Sequence, residues 1–489
     1  MSDTPPTEFV RGIGPWQAIS LVVGTMIGSG IFIVSAGISS EVNAWGPGAL
    51  MLVWLLTGVM TVAGALAYAE LAAMMPKAGG QYVFLREGLN RASGFLFGWT
   101  LFTVIQTGTI AAVAVAMARY LGVFFPGLTD TITLSLGHIS LPSPTGMSTI
   151  PIGLSAQRLV AILSIVGLTA INVRGVTIGA RLQTFLTVIK FVALAMLVLL
   201  GIIVFRNADV ASANWNNFWG TGDWSLAMLP VVGAAMVGSL FSSDAWNNVT
   251  FTAAEVRDPT RNLPRALALG TGIVTLLYIL ANVGYLSVLP FAGDPAGTTA
   301  VARGIQHASE NRVAAAAVEA MLGPVGGMVM AAFIVISTLG CNAGLVLAGP
   351  RVYFAMAQDK LFFRKAGELH PTRRTPVFGL VTQAIWASVL CLSGTYNQLL
   401  DYVIFASVLF YFLTTLALFR LRALQPDLPR PVKAFGYPIV PGLYLLASAA
   451  LMVVLLIKKP YFTWPGLIIV ALGIPIYLIW RPREATPAG

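Results

Sequence analysis

Two stretches decide how this chain is read: Gly24-Thr25-Met26-Ile27-Gly28-Ser29-Gly30-Ile31-Phe32 and Gly238-Ser239-Leu240-Phe241-Ser242-Ser243-Asp244-Ala245-Trp246-Asn247. Each sits inside an apolar run long enough to cross a hydrocarbon core, which takes roughly 20 helical residues. The first places glycines and a serine at mid-depth, the second serines, an asparagine and a carboxylate. Glycine lets a helix unwind. Unwound backbone exposes amides and carbonyls that lipid leaves unsatisfied, so it persists only where protein, water or a ligand takes up the hydrogen bonds. Both stretches therefore predict broken helices around a polar site within the membrane.

The 489 residues are 57% hydrophobic and 10% charged, with a mean hydropathy of +0.81. Soluble chains carry about a quarter charged residues. Apolar runs at 16–40, 49–75, 93–124, 158–173, 180–205, 227–255, 266–290, 323–356, 377–394, 399–420, 438–457 and 463–480 predict an all-α membrane protein of twelve transmembrane helices. Polar helix faces with a 3.6-residue period are missing across most of these runs, which excludes a large soluble protein with buried helices. No hydrophilic stretch is long enough for a second domain, so residues 1–489 read as one transmembrane domain. Met1 to Phe9 lacks the basic-then-apolar pattern of a secretory signal, and the first span is expected to stay in the mature protein. Cys341 and Cys391 both fall within predicted spans, which leaves neither an external disulfide framework nor a cysteine metal cluster. His138, His307 and His370 lie in predicted loops far apart in sequence and are assigned no chemistry.

The net charge of +10 is placed in the short connections. With the N-terminus inside, roughly 21 of the 29 Lys and Arg fall on the cytoplasmic side and about 7 outside, Lys190 being within the membrane. That bias predicts both termini in the cytoplasm of a multi-pass protein of the cell inner membrane. It explains the basic balance through topology and anionic lipid rather than nucleic acid. The long external connections are 126–157, rich in Thr, Ser, Gly and Pro, and 291–322, which predicts a surface helix beginning near Ser309. Inside, 79–90 is expected to lie along the membrane surface, and Pro426 to Pro431 to redirect the chain.

The two interrupted spans are five apart. Matching interruptions in successive halves point to a five-plus-five inverted repeat with its site at the bilayer midplane. Here the repeats would be 16–205 and 227–420, followed by two additional helices at 438–480. At the outer half of the first break, the amides of Ser29, Gly30 and Ile31 would present a positive dipole to a carboxylate. Carbonyls near Met26, Ile27, Phe241 and Ser242 would accept from an ammonium. An anion seat beside a cation seat describes an α-amino acid. The structural alternative is that Gly24 and Gly28 only permit close helix packing.

Lys190 is the one basic residue well inside a span, where an ammonium is costly and needs carbonyls, a carboxylate or water. It could tether the unwound backbone, or burial could lower its pKa enough for it to carry a proton. Asp244 either touches substrate and pathway water or caps the broken helix. Glu70 and Glu255 are expected to pair with basic groups at the interface. Asn247 and Trp246 could line the pocket, and Phe241 is the candidate aromatic lid.

The run Gly24 to Phe32, the string Tyr68-Ala69-Glu70-Leu71 and the segment Glu255-Val256-Arg257-Asp258-Pro259-Thr260-Arg261-Asn262-Leu263-Pro264 resemble the amino acid-polyamine-organocation (APC) superfamily. They look most like its L-type amino acid transporter (LAT) branch, in bacterial form. The resemblance implies the LeuT-like fold, alternating access and sodium-independent exchange of amino acids. It implies Ser29, Gly30 and Ile31 for the carboxylate, carbonyls of Met26, Phe241 and Asp244 for the amino group, Phe241 as gate, and Phe405 and Ser407 near the substrate side chain. Lys190 matches a mid-membrane lysine that resembles a stand-in for the coupling cation of sodium-driven relatives. Vertebrate members of the branch join a glycoprotein through an external cysteine after the third span. Residues 126–157 contain none, so no disulfide-linked ancillary subunit is expected. Position 244 is Asp, where members for large neutral substrates have glycine and others with Asp accept cationic substrates.

The leading expectation is a neutral amino acid exchanger that uses no cofactor and no metal. A proton-coupled symporter, a carrier of cationic amino acids and a membrane amino acid sensor are the alternatives. A membrane enzyme would need a catalytic cluster that the sequence lacks, and a channel would need a filter repeat or charged rings.

Overall fold

The computed structural model of the protein describes residues 8–143, 146–393 and 396–481. In chain order its helices are α1 (Pro15–Met26), α2 (Val34–Glu41), α3 (Gly46–Met74), α4 (Gln81–Gly88), α5 (Arg91–Thr100), α6 (Gln106–Leu121), α7 (Ala156–Val173), α8 (Val176–Leu199), α9 (Ala208–Asn216) and α10 (Leu229–Ser242). They continue as α11 (Asn248–Phe251), α12 (Pro259–Val288), α13 (Ala300–Arg303), α14 (Val313–Leu322), α15 (Pro324–Ala348), α16 (Pro350–Gln358), α17 (Val377–Ser393), α18 (Tyr396–Leu424), α19 (Ile439–Lys458) and α20 (Pro460–Trp480).

Nine helical stretches among the described residues are long and apolar enough to cross a membrane. The other three runs read as spans are α17, apolar but 17 residues long, and the two that break. The first stops at Met26 and resumes as a short turn at Gly30–Phe32 followed by α2. The second stops at Ser242 and resumes as α11.

The helices are inverted relative to those of a soluble protein. On α8, Phe185, Val188, Val192, Met196 and Leu199 are exposed, three or four residues apart, while Gln183, Thr187 and Lys190 on another face are buried. Apolar outside and polar inside is the arrangement a hydrocarbon solvent selects. α12 runs along α3, α1 and α8, and α15 along α8, α6 and α1, so α1 is enclosed by helices that carry polar groups.

Three local expectations are corrected. Residues 126–157 hold an antiparallel hairpin, β1 (Ile132–Ser143) and β2 (Gly146–Ser155), so His138 sits in a strand. The alternation Ile132-Thr133-Leu134-Ser135-Leu136 carries that period of two. Buried Arg158 anchors the hairpin's base, bonding Asp130 at 2.9 Å and the Leu392 carbonyl at 2.6 Å. The helix expected near Ser309 begins at Val313, because Glu310 and Asn311 adopt left-handed φ of 52° and 60°, and Ser309 does not cap it. One face of it is buried. Residues 79–90 contain α4, but its Gln81 to Leu85 are buried between α5 and α18 rather than lying on the surface. Gly80 permits this: its φ is +39°, and a Cβ there would lie 2.2 Å from the Thr250 Oγ1.

At the end of the bundle near the N-terminus, ion pairs join the helices. Arg351 forks onto Glu255 at 2.8 and 2.9 Å, both side chains being buried. Glu70 receives Arg422 at 2.5 Å and the Ala434 amide at 2.7 Å, with Arg430 at 3.3 Å. Glu70 and Glu255 thus pair with basic groups as expected. Breaking a buried pair leaves an uncompensated charge, which costs about 3–5 kcal/mol. Arg351→Ala should lower the melting temperature of the purified protein sharply, and Arg351→Ala with Glu255→Ala should recover much of that loss. A double variant as unstable as the single one would contradict the pairing account.

Candidate functional site

The two breaks touch. A Cβ on Gly30 would lie 2.1 Å from Ser242 Oγ and 2.9 Å from its Cα, so the first break is seated directly on the end of α10. Gly24 is equally constrained on its other side, where a Cβ would lie 2.0 Å from Gln183 Nε2 and 2.2 Å from Thr187 Oγ1. Glycine therefore serves close packing at both positions 24 and 30. Ser29, Gly30 and Ile31 are fully buried at the head of the Gly30–Phe32 turn, where the first amides of a helical segment have no acceptor within it.

The carbonyls released by unwinding are held by named side chains. The Tyr278 hydroxyl lies 2.9 Å from the Met26 oxygen and 3.0 Å from the Ser242 oxygen, sharing one proton between the two breaks. Ser337 Oγ donates to the Gly28 oxygen at 3.0 Å, and Cys341 Sγ lies 3.1 Å from the Thr25 oxygen. Lys190, 1% exposed, directs its ammonium at the carbonyls of Gly24, Ile27 (2.7 Å) and Ser337 (3.4 Å). Three N–H donors meet three acceptors, which is what makes an ammonium tolerable at this depth.

On the other side of the second break, Ala245 takes a left-handed φ of 65°, a strained choice for a residue with a Cβ. Its carbonyl is bonded by Thr25 Oγ1 at 3.0 Å and Asn248 Nδ2 at 3.0 Å. Asp244 accepts from the Tyr411 hydroxyl at 2.5 Å and lies 3.4 Å from Ser407 Oγ. Asn247 continues the network, donating to Gln81 Oε1 at 2.6 Å, and Gln81 donates to Thr414 Oγ1 at 3.2 Å. Two small cavities of about 10 and 20 Å³ flank the Asp244 carboxylate and share Ser407 and Tyr411 in their walls.

Among the residues read from sequence, Met26, Ile27, Ser29, Gly30, Ile31, Phe241, Ser242 and Lys190 converge on the contact between the breaks, and Asp244, Asn247 and Ser407 on the polar network beside it. Phe405 is buried but does not line either cavity beside Asp244. Two helical positions from Ser407, it faces a different direction. Of the carbonyls expected to take an ammonium, Met26 and Ser242 are occupied by Tyr278, and Ile27 by Lys190. Tyr278, Tyr411, Gln81 and Ser337 were not read from sequence. A signal existed for the first: Tyr278, Asn282 and Tyr285 recur at i, i+4 and i+7 on one face of an apolar helix. All three address the broken first span, Asn282 accepting from Ser35 of α2 at 2.7 Å and Tyr285 donating to the Ile31 oxygen at 3.2 Å.

The N-terminal arm closes the same end of the bundle as the ion pairs. The Ile13 amide donates to the Glu255 oxygen and the Arg257 amide to the Ile13 oxygen, both at 2.9 Å. The Phe9 ring meets Phe354 edge-on at 4.8 Å, with the Arg351 guanidinium 5.9 Å away. Nearby, Arg86 pairs with Asp359, and Tyr82 donates to the same carboxylate at 2.6 Å. Burial, then Asp359, raises the Tyr82 hydroxyl above its ordinary pKa.

The sequence profile of the amino acid permease family matches residues 13–480. The chain belongs to that family. Among its permease relatives, the human large neutral amino acids transporter small subunit 2 is 30% identical over 470 residues, covering 96% of this chain and 80% of that protein. The mouse b(0,+)-type amino acid transporter 1 is 26% identical over 490 residues, covering 98% and 91%. This permease is accordingly a multi-pass membrane protein of the LAT type, and the family and these relatives are transporters rather than enzymes.

The contact between the breaks yields a direct expectation. Gly30→Ala forces a methyl group into Ser242 and should abolish amino acid uptake into proteoliposomes. Gly37→Ala, whose Cβ would meet nothing within 4 Å, should leave uptake near wild type. Equal effects at the two positions would contradict the packing described.

Proposed function

We propose that this amino acid transporter is a sodium-independent exchanger of neutral L-amino acids working by alternating access. The supporting observation is that the two broken helices meet and that their released carbonyls are held by a hydroxyl and an ammonium side chain. The hydroxyl, that of Tyr278, can be traded for the amino group of a substrate. The carboxylate would sit on the amides of Ser29, Gly30 and Ile31, and the amino group on carbonyls of Met26, Ile27, Phe241 and Ser242. Ser242 and Tyr278 would give way on binding, and Phe241 would gate the site. Asp244, Asn247 and Ser407, with Phe405 behind them, would face the side chain. Lys190 would act as a fixed cation among three carbonyls, which removes the need for a sodium ion there.

The same reading takes the chain as a single domain of twelve spans, two five-span repeats (16–205 and 227–420) with two further helices (438–480). Both termini would lie in the cytoplasm of a cell whose inner membrane holds the protein. Cys341 and Cys391 are buried, which supports operation without a disulfide-linked partner.

One observation favours a second reading. Asp244 is a buried carboxylate that lines both small cavities, and such a group can pair with a cationic side chain. Proteoliposomes preloaded with single amino acids and tested for uptake of labelled alanine, leucine and arginine distinguish these readings. Exchange predicts uptake that depends on internal amino acid and is unchanged by sodium or pH gradients. Uptake driven by a pH gradient into empty vesicles would overturn it in favour of a symporter. If arginine is carried, Asp244→Asn should weaken its uptake relative to leucine by about tenfold, the worth of one charge-assisted contact. Lys190→Ala should bind substrate but exchange it poorly; undiminished exchange would remove Lys190 from the mechanism.

A further inference from the structure

At the end of the bundle opposite the N-terminal arm, a cavity of about 240 Å³ lies between the end of α6, the 298–312 connection, α14 and the start of α15. It is an order of magnitude larger than the cavities beside Asp244 and shares no residue with them. Its wall holds two guanidinium groups, Arg303 and Arg312, and one carboxylate, Glu319. Arg303 spends Nε on the Gly297 oxygen and Nη1 on Ser309 Oγ, and makes no ion pair among the described residues. Arg312 reaches Glu310 through Nη2 at 2.5 Å, and its buried Nε has no partner. Glu319 likewise makes no ion pair among the described residues. The first turn of the 25-residue α15, which starts at Pro324 without a capping side chain, faces the same space through Gly327. Met328 lines the cavity and is itself half-exposed beside Val325, on a surface of the apolar kind that meets lipid.

Guanidinium donors and a helix N-terminus on one wall select an anionic group. The unpaired Glu319 selects a cation within reach of it. A buried donor without a partner is costly unless something fills it. We infer that this cavity is a second ligand site, separate from the contact between the broken helices, that takes a small zwitterion with its anionic group on Arg303 and Arg312 and its ammonium on Glu319. That chemistry has two sources: the headgroup of an aminophospholipid whose chains lie along Met328 and Val325, or a free amino acid from the solution facing this end. Occupation would also bear on Arg312, whose guanidinium lies over the Tyr120 ring at 5.4 Å and whose ion-pair partner, Glu310, bridges to Arg119 at 3.0 Å on α6.

The test uses the full-length protein in detergent and in nanodiscs. Mass spectrometry of co-purified lipid, wild type against the Arg303→Gln/Arg312→Gln double variant, reads the lipid source: phosphatidylethanolamine retained by the wild type and lost from the variant. Equilibrium binding of O-phosphoethanolamine and of labelled alanine, in nanodiscs of phosphatidylcholine alone, reads the soluble source. One of these zwitterions should bind with saturation and weaken about tenfold or more in the double variant. Glu319→Gln, at an exposed position that folding should tolerate, is the second variant. It should erase the preference for phosphoethanolamine over inorganic phosphate, or for phosphatidylethanolamine over phosphatidylglycerol. If no lipid is selectively retained and neither soluble probe binds in a manner sensitive to these residues, the site does not exist. O-phosphoethanolamine that binds equally to wild type and both variants, or alanine that binds as one equivalent to all three, the number the contact between the broken helices accounts for, overturns the assignment as well.

Discussion

A helix broken inside a membrane must have its freed carbonyls satisfied by something other than lipid, and in this protein that duty falls first on one hydroxyl. Tyr278 sits between the Met26 and Ser242 oxygens, the two ends left by the two breaks. Lys190 and Ser337 complete the work at Gly24, Ile27 and Gly28. Each group left unpaired in hydrocarbon costs several kcal/mol, so the breaks and the side chains that hold them form one unit. The Tyr278 bonds are the ones a zwitterion would replace, because its ammonium supplies donors of the kind that the unwound carbonyls require while Lys190 stays in place.

The rest of the bundle positions that unit. α12 presents Tyr278, Asn282 and Tyr285 along one face, so a single helix touches the first span at the end of α1 (Met26), in the turn that follows (Ile31) and on α2 (Ser35). α8 brings Lys190 from another direction, and Gly24 lets α8 approach closely enough for it to reach. On the far side, Asp244 is held by Tyr411 and linked through Asn247 to Gln81 of α4, which ties the second break to α18 and to the end where Phe9, Arg351 and Glu255 close the bundle. A movement of α1 away from α10 therefore has to loosen the Tyr278 bridge, and a movement of its N-terminal end has to part Ile13 from Glu255 and Arg257.

Much of this was legible in sequence because lipid makes polarity conspicuous. Three glycines among apolar residues located the first break, and Ser242, Ser243 and Asp244 located the second. Lys190 stood out as the one basic residue at depth, and Glu70 and Glu255 as carboxylates that needed partners. What the sequence hid were partners whose residue types are ordinary in membrane helices. Tyrosine is common at interfaces, so Tyr278 and Tyr411 carried no individual signal, although the 278, 282, 285 spacing did. Gln81 was obscured because α4 was expected on the surface, and its burial depends on the close approach that Gly80 allows to Thr250. The hairpin is hard to see in sequence because the alternation at 132–136 is short and lies in a segment whose Ser, Thr and Gly content is that of a loop. The helix expected at Ser309 started late because two consecutive left-handed residues ended the turn before it.

The account rests on the two breaks forming the seat of the amino acid backbone. A cryo-electron-microscopy structure of the protein in nanodiscs, saturated with the amino acid that vesicle exchange selects, tests this most directly. The predicted result is ligand density with its carboxylate at the amides of Ser29, Gly30 and Ile31, Ser242 withdrawn from Gly30, and the Tyr278 hydroxyl moved off at least one of its two carbonyls. Density lodged elsewhere in the bundle, with Gly30 still against Ser242 and Tyr278 still bridging Met26 and Ser242, would contradict it.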